Sequence, residues 1–167
     1  RRLIDRYYPN MQKWIEYAES NYDEKGLLRD WGVNEHRHWY LGDWATPVGI
    51  EQRDPLSVDL VSNCVMSYSY GLMAKIASVL GKVQDAEEYI RRKDFHNGLI
   101  HANFFDEDTS LYSTGTQIDM IYPMLVGATP DSRVKDVREA LFRETADRFK
   151  GHLSTGLVGV PVMTQWV

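Results

Sequence analysis

The feature that most constrains the fold is an alternation between two kinds of helical segment. Three segments carry apolar residues on one face only: 3–22, 83–104 and 130–149. Three others are apolar almost all round: 54–80, 115–126 and 155–167. A helix with one apolar stripe lies at the surface, whereas a helix that is apolar all round is buried. The alternating order therefore predicts three helical hairpins, each with an outer and an inner helix, arranged in concentric rings.

Local signals define several helix boundaries. The first apolar face is formed by residues spaced three and four apart: Leu3, Tyr7, Met11, Trp14, Ala18 and Tyr22. Asp54 followed by Pro55 indicates a helix start, and Gly81 indicates its end. Thr129 and Pro130 indicate another start in the same way. Strand signals are nearly absent, because the β-branched run 156–162 contains two glycines and a proline. The predicted fold class is all-α.

A long loop, at about 23–53, separates the first outer helix from the first inner helix. Three of the five tryptophans and two of the five histidines fall within it: Trp31, Trp39, Trp44, His36 and His38. Disordered segments are poor in aromatic residues, and long ordered loops often carry binding sites. Within this loop Gly42, Asp43 and Trp44 place a permissive backbone, a carboxylate and an indole side by side. We expect the functional pocket here.

Composition excludes several classes of function. The formal net charge is −5, and the absence of any block of Lys or Arg argues against nucleic-acid and anionic-membrane surfaces. No run of about 18 apolar residues exists to span a bilayer. Cys64 is the only cysteine, so no internal disulfide forms, and its apolar surroundings predict a buried structural thiol. His36 and His38 without a third ligand are not a metal signature. We expect no metal and no cofactor, and no targeting segment identifies a compartment.

Collinear motifs along nearly the whole chain resemble the catalytic domain of bacterial α-L-rhamnosidases, glycoside hydrolase family 78. The matching stretches are Tyr8-Pro9, Trp14-Ile15, Gly26-Leu27-Leu28, Leu41-Gly42-Asp43-Trp44-Ala45 with Pro47, Ala74-Lys75-Ile76-Ala77, Leu80-Gly81-Lys82, Thr114-Gly115-Thr116-Gln117 and the run from His152 to Gly159. The resemblance implies an (α/α)6 barrel and an inverting enzyme that removes terminal α-L-rhamnose from glycosides.

The resemblance also implies that the catalytic carboxylates lie outside these residues. The family's general acid belongs to an Arg-Asp-Glu-Arg type motif and its general base to a Trp-Glu motif, and neither is present here. We therefore expect residues 1–167 to be a fragment of one barrel domain, about half of it. Its partners would be a rhamnose-containing glycoside and the remainder of the same polypeptide, which would cover the inner helices. The fragment alone is expected to be inactive.

Five residues are candidate substrate contacts: Asp43, Trp44, Trp39, Asn63 and Gln117. Trp39 is expected to contact a sugar or an aglycone, and for the other four a structural role competes with the functional one. Trp44 is either a wall against the sugar ring or a core tryptophan that anchors the loop. Asp43 is either a substrate ligand or a carboxylate that caps a helix or fixes the loop. Asn63 and Gln117 lie near inner-helix starts, where they either line the pocket or cap the helix.

Two alternative functions remain open at this stage. One is a different (α/α)6 glycosidase, acting for example on glucosides or trehalose. The other is a non-catalytic helical scaffold that binds partners through its concave face. A tetratricopeptide array is disfavoured, because its motif does not recur at a period of 34 residues.

Overall fold

Among the residues that the structure describes, the fold consists of six helices and one very short β-hairpin. A computed structural model describes residues 2–29, 42–47 and 54–166. Its helices are α1 (Arg2–Glu19), α2 (Pro55–Leu80), α3 (Val83–Phe104), α4 (Gln117–Val126), α5 (Asp131–Asp147) and α6 (Gly159–Trp166). Strands β1 (Phe105–Asp106) and β2 (Leu111–Tyr112) pair antiparallel between α3 and α4. The predicted all-α class is confirmed, as are three consecutive hairpins, α1–α2, α3–α4 and α5–α6.

Helix α2 is the long inner helix against which α3 packs most extensively. It begins as predicted, because the Asp54 side chain accepts a hydrogen bond from the Leu56 amide and Pro55 occupies the first turn. It ends at Gly81, whose φ of 79° is left-handed and favours glycine. Cys64 is fully buried in its middle, as expected, and burial raises the pKa of that thiol.

The buried face of α1 is only partly the predicted one: Ala18 is buried, and Met11 and Tyr22 pack partly buried against the core. Leu3 is 69% exposed and Trp14 50% exposed, whereas Tyr8 and Ile15 are buried. Helix α1 carries apolar side chains on two adjacent faces, and spacing alone does not rank them. Tertiary contacts decide, because Tyr8 packs into the core and its hydroxyl donates a hydrogen bond to Asp85 at 2.9 Å, on the first turn of α3.

The start of α5 also differs slightly from the prediction. The helix begins at Asp131 with Pro130 at the cap position, and Thr129 precedes it. The Thr129 amide instead donates to the carbonyl of Pro123, inside the turn that closes α4. Thr129 therefore belongs to the end of α4 rather than to the start of α5.

The three inner helices begin at the same end of the molecule. Ser57 in the first turn of α2 donates a hydrogen bond to Asp119 in the first turn of α4, at 2.6 Å. The Ser154 amide, just before α6, donates to Gln117 at the start of α4, at 2.8 Å. The described residues that precede these helices belong to this end, which we call the loop end: 20–29, 42–47 and 54 before α2, 105–116 before α4, and 148–158 before α6.

Candidate functional site

Asp43 holds the candidate loop against the start of α6. Its carboxylate accepts three backbone hydrogen bonds, from the amides of Gly156 (2.7 Å), Val158 (3.1 Å) and Gly159 (2.8 Å). The first amides of a helix lack partners within the helix and carry partial positive charge, so a carboxylate at this position is stabilising. The structure therefore gives Asp43 the loop-fixing role. Contact between Asp43 and a substrate is not tested and stays a prediction.

Two glycines allow this close approach. A Cβ atom at Gly159 would lie 2.7 Å from Asp43 Oδ2, and one at Gly156 would collide with the carbonyl oxygen of Trp44. That carbonyl accepts a hydrogen bond from the Leu157 amide at 2.7 Å. The contact between residues 43–44 and 156–159 is thus built from backbone atoms and one carboxylate, and it has no room for side chains at either glycine.

Trp44 is held by its backbone, while its side chain is 42% exposed. The structure therefore does not bury it as a core tryptophan. Ala45, which follows, has a φ of 59°, a left-handed conformation that costs a residue with a Cβ roughly 1 kcal/mol. The indole is thus presented at the surface of a loop with a fixed backbone. Its predicted role as a wall of the sugar pocket stays a prediction.

Asn63 and Gln117 are buried, and their amides bind protein groups. Asn63 accepts from the Leu28 amide at 3.0 Å and donates to the Leu28 carbonyl at 2.8 Å, which clamps the start of the long loop onto α2. Gln117 donates to the His152 carbonyl at 2.9 Å and accepts from the Ser154 amide, which clamps the segment before α6. Both residues support the loop end, and a direct substrate contact by either one stays a prediction.

Several candidates cannot be placed. Trp39, together with His36, His38 and Trp31, lies outside the described residues. Among the residues that are described, no group of three or more His, Cys, Asp or Glu side chains is arranged to hold a metal ion. Within the same part of the chain, no helix is long and apolar enough to cross a membrane.

Two acidic residues at the loop end, Asp59 and Asp119, are not among the candidates predicted from the sequence. Asp59 is buried on α2 and pairs with Arg29 at 3.2 Å, and the Arg29 guanidinium stacks over the ring of Phe104. Asp119 is fully buried on α4; burial raises the pKa of its carboxyl group, while hydrogen bonds from Ser57 and Thr114 oppose that shift. A signal was present for Asp119, because a polar residue within an all-round apolar helix must find hydrogen-bond partners.

The family described as the bacterial alpha-L-rhamnosidase 6 hairpin glycosidase domain matches residues 1–167, the whole chain. This chain belongs to that family. The assignment agrees with the three outer/inner hairpins and with the motifs at the loop end of this rhamnosidase-family domain.

Solved structures support the same fold for the rhamnosidase-family chain. The α-L-rhamnosidase from Dictyoglumus thermophilum superposes with a TM-score of 0.79 at 22% identity, covering 98% of this chain and 18% of that one. The Streptomyces avermitilis α-L-rhamnosidase complexed with L-rhamnose gives 0.76 at 21% identity, covering 98% and 15%. The native Aspergillus terreus enzyme gives 0.73 at 14% identity, covering 98% and 19%. The chain thus spans less than a fifth of each. Curated protein sequences give no match.

Proposed function

We propose that this chain forms part of the catalytic barrel of an inverting glycoside hydrolase that removes terminal α-L-rhamnose from glycosides. The observation that carries the proposal is the exposure of the Trp44 side chain. Its indole is exposed on a loop whose backbone is tied by Asp43 to the N-terminal end of an inner helix. Sugar pockets combine apolar walls with a few placed polar groups, and an exposed indole beside fixed polar groups fits that pattern.

The general acid and base of this reaction are proposed to lie outside the chain. Inversion requires two carboxyl groups roughly 6.5–9.5 Å apart, one to protonate the leaving oxygen and one to activate water. Asp43 binds three backbone amides, and Asp119 binds Ser57 and Thr114. These two described carboxylates of the loop end are thus engaged in holding the structure, which supports an external acid and base.

The remainder of the same polypeptide is the proposed partner that completes the barrel. The family description names six hairpins, and the described residues of this chain form three. Tyr68, Leu72 and Val79 form an exposed stripe on the inner helix α2, where a complete barrel would bury them. On this basis we expect residues 1–167 alone to be inactive and to aggregate.

A substrate screen of the full-length protein tests the proposal. We expect hydrolysis of an aryl α-L-rhamnoside and none of the corresponding glucosides, with β-L-rhamnose as the first product seen by NMR. An α-anomer as the first product would refute inversion, whereas activity confined to glucosides would refute the substrate. Protein without glycosidase activity that still binds partners through the concave face would favour the scaffold alternative.

A further inference from the structure

The pair Ser57–Asp119 joins the first turns of the inner helices α2 and α4 at the loop end. Ser57 Oγ donates to Asp119 Oδ1 at 2.6 Å, and Asp119 Oδ2 accepts from the hydroxyl of Thr114 at 2.6 Å and from its amide at 3.2 Å. Among the described residues no cation pairs with this fully buried carboxylate. Burying a carboxyl group without a cation costs free energy, so an apolar residue at this position would make the free energy of folding more favourable.

Ser57 differs from Asp119 in being only partly buried. It stands in the first turn of α2, and its neighbour Val58 touches Gly42, the residue before Asp43. A hydroxyl group has one donor site and two acceptor sites, and Ser57 uses one of these three sites to bind Asp119. Whether Asp119 is ionised or protonated, Ser57 Oγ therefore keeps at least one site for another hydrogen-bond partner.

Other hydroxyl groups at this end also have spare capacity. Ser113 and Ser154 each carry a buried side-chain oxygen that finds no hydrogen-bond partner within the described residues. Ser113 precedes Thr114, and Ser154 is the residue whose amide binds Gln117. Unsatisfied buried hydroxyls are rare in folded proteins and require an explanation such as bound water or ligand. The loop end therefore holds buried hydroxyl groups whose hydrogen-bonding capacity is not used within the described residues.

We propose that Ser57 contacts a ring hydroxyl of the sugar and that Asp119 is the positioning residue that orients and polarises Ser57. This inference rests on the proposed function and adds a specificity residue to it. A chain from sugar hydroxyl to Ser57 to Asp119 is stronger than an isolated bond, because each hydrogen bond polarises the next. The Thr114 amide and hydroxyl hold Asp119 in place from the other side.

The test is a set of variants of the full-length protein assayed on an aryl α-L-rhamnoside and on its 2-, 3- and 4-deoxy analogues. Ser57→Ala is expected to lower kcat/KM on the parent substrate about tenfold, the loss of one hydrogen bond between the Ser57 hydroxyl and the sugar. The loss should vanish on the one deoxy analogue that lacks the contacted hydroxyl, which a merely structural role would not produce. Asp119→Asn should lower the same constant, and the double variant should be no worse than the more impaired single variant.

The matched control is Ser69→Ala, on the same helix, whose hydroxyl binds the Val65 carbonyl at 2.8 Å away from the loop end. It should leave kcat/KM within twofold of wild type.

If the wild type is active and folded Ser57→Ala shows unchanged kinetics, the inference about Ser57 is wrong, whereas the proposed function stands. If Ser57→Ala fails to fold, Ser57→Thr replaces it in the test. Threonine retains the hydroxyl, so this variant should distinguish the parent rhamnoside from the deoxy analogues as the wild type does. A wild type that acts on another glycoside would refute the substrate but leave Ser57 testable on that sugar, whereas a wild type without glycosidase activity would overturn both.

Discussion

The carboxylate of Asp43 accepts a hydrogen bond from the amide of Gly156, which lies 113 residues further along the chain. Together with the amides of Val158 and Gly159, this bond joins the long loop of the first hairpin to the inner helix of the third. The position of Trp44 is consequently set by α6 as much as by its own loop.

Removing the Asp43 carboxylate should release this junction. In Asp43→Ala three backbone amides lose a charged acceptor, which should destabilise the local structure by about 3 kcal/mol. Hydrogen exchange on the full-length protein should show the amides of Gly156, Val158 and Gly159 exchanging at least tenfold faster. Asp136→Ala on the outer helix α5 is the control and should leave these rates unchanged. Unaltered protection in Asp43→Ala would show that other contacts hold the junction.

Trp44→Ala should weaken catalysis without unfolding the protein. We expect kcat/KM on an aryl rhamnoside to fall at least tenfold, about 1.4 kcal/mol of transition-state binding. The matched control is Phe95→Ala, an aromatic residue that is 71% exposed on the outer helix α3. It should have little effect. Near wild-type activity of a folded Trp44→Ala enzyme would mean that the indole is not a wall of the pocket.

Gly159→Ala should disturb the same junction by steric conflict. The added Cβ would sit 2.7 Å from Asp43 Oδ2, so either the carboxylate or the start of α6 must shift. We expect a lower melting temperature and a reduced kcat/KM. Gly98→Ala is the control and should raise stability. Nothing lies within 4 Å of the position that its Cβ atom would take on α3, and alanine stabilises a helix relative to glycine by up to about 1 kcal/mol. A neutral Gly159→Ala would contradict the close packing described here.

His96 should make the fold sensitive to acid. It is buried on α3 and stacked against Tyr22 with 5.4 Å between ring centroids, and its Nε2 has no hydrogen-bond partner among the described residues. Burial lowers its pKa from 6.5 to about 4, despite an opposing effect of the Asn63 carbonyl. The unfolded chain therefore binds this proton more readily, so the stabilising contribution is complete above pH 6.5 and is lost as the pH falls towards 4.

The size of that loss is about 3 kcal/mol between pH 6.5 and pH 4. Unfolding measurements on wild type and His96→Gln across this range should show a steeper decline for the wild type. His152→Gln replaces an exposed histidine and should follow the wild-type curve. Parallel curves for wild type and His96→Gln would mean that His96 is not the responsible group.

Much of the architecture follows from local sequence. The alternation of one-sided and all-round apolar helices predicts the three hairpins, and Asp54-Pro55 and Gly81 define α2 because caps act on the nearest turn. The motifs around Gly42-Asp43-Trp44 and His152 to Gly159 indicate the family and point to the loop end. These signals succeed because each depends on residues only a few positions apart.

Tertiary structure decided the rest. In α1, Tyr8 and Ile15 are buried, whereas Leu3 and Trp14 are exposed. Both faces of this helix are apolar, so contacts with the neighbouring helices decide which face is buried. Tertiary structure also gave Asp43 its partners before and at the start of α6 and Asp119 its partner on α2, each at a large separation along the chain. Helix periodicity and caps are local properties that sequence determines by itself, whereas the hydrogen bonds that assemble this site exist only after distant helix ends meet.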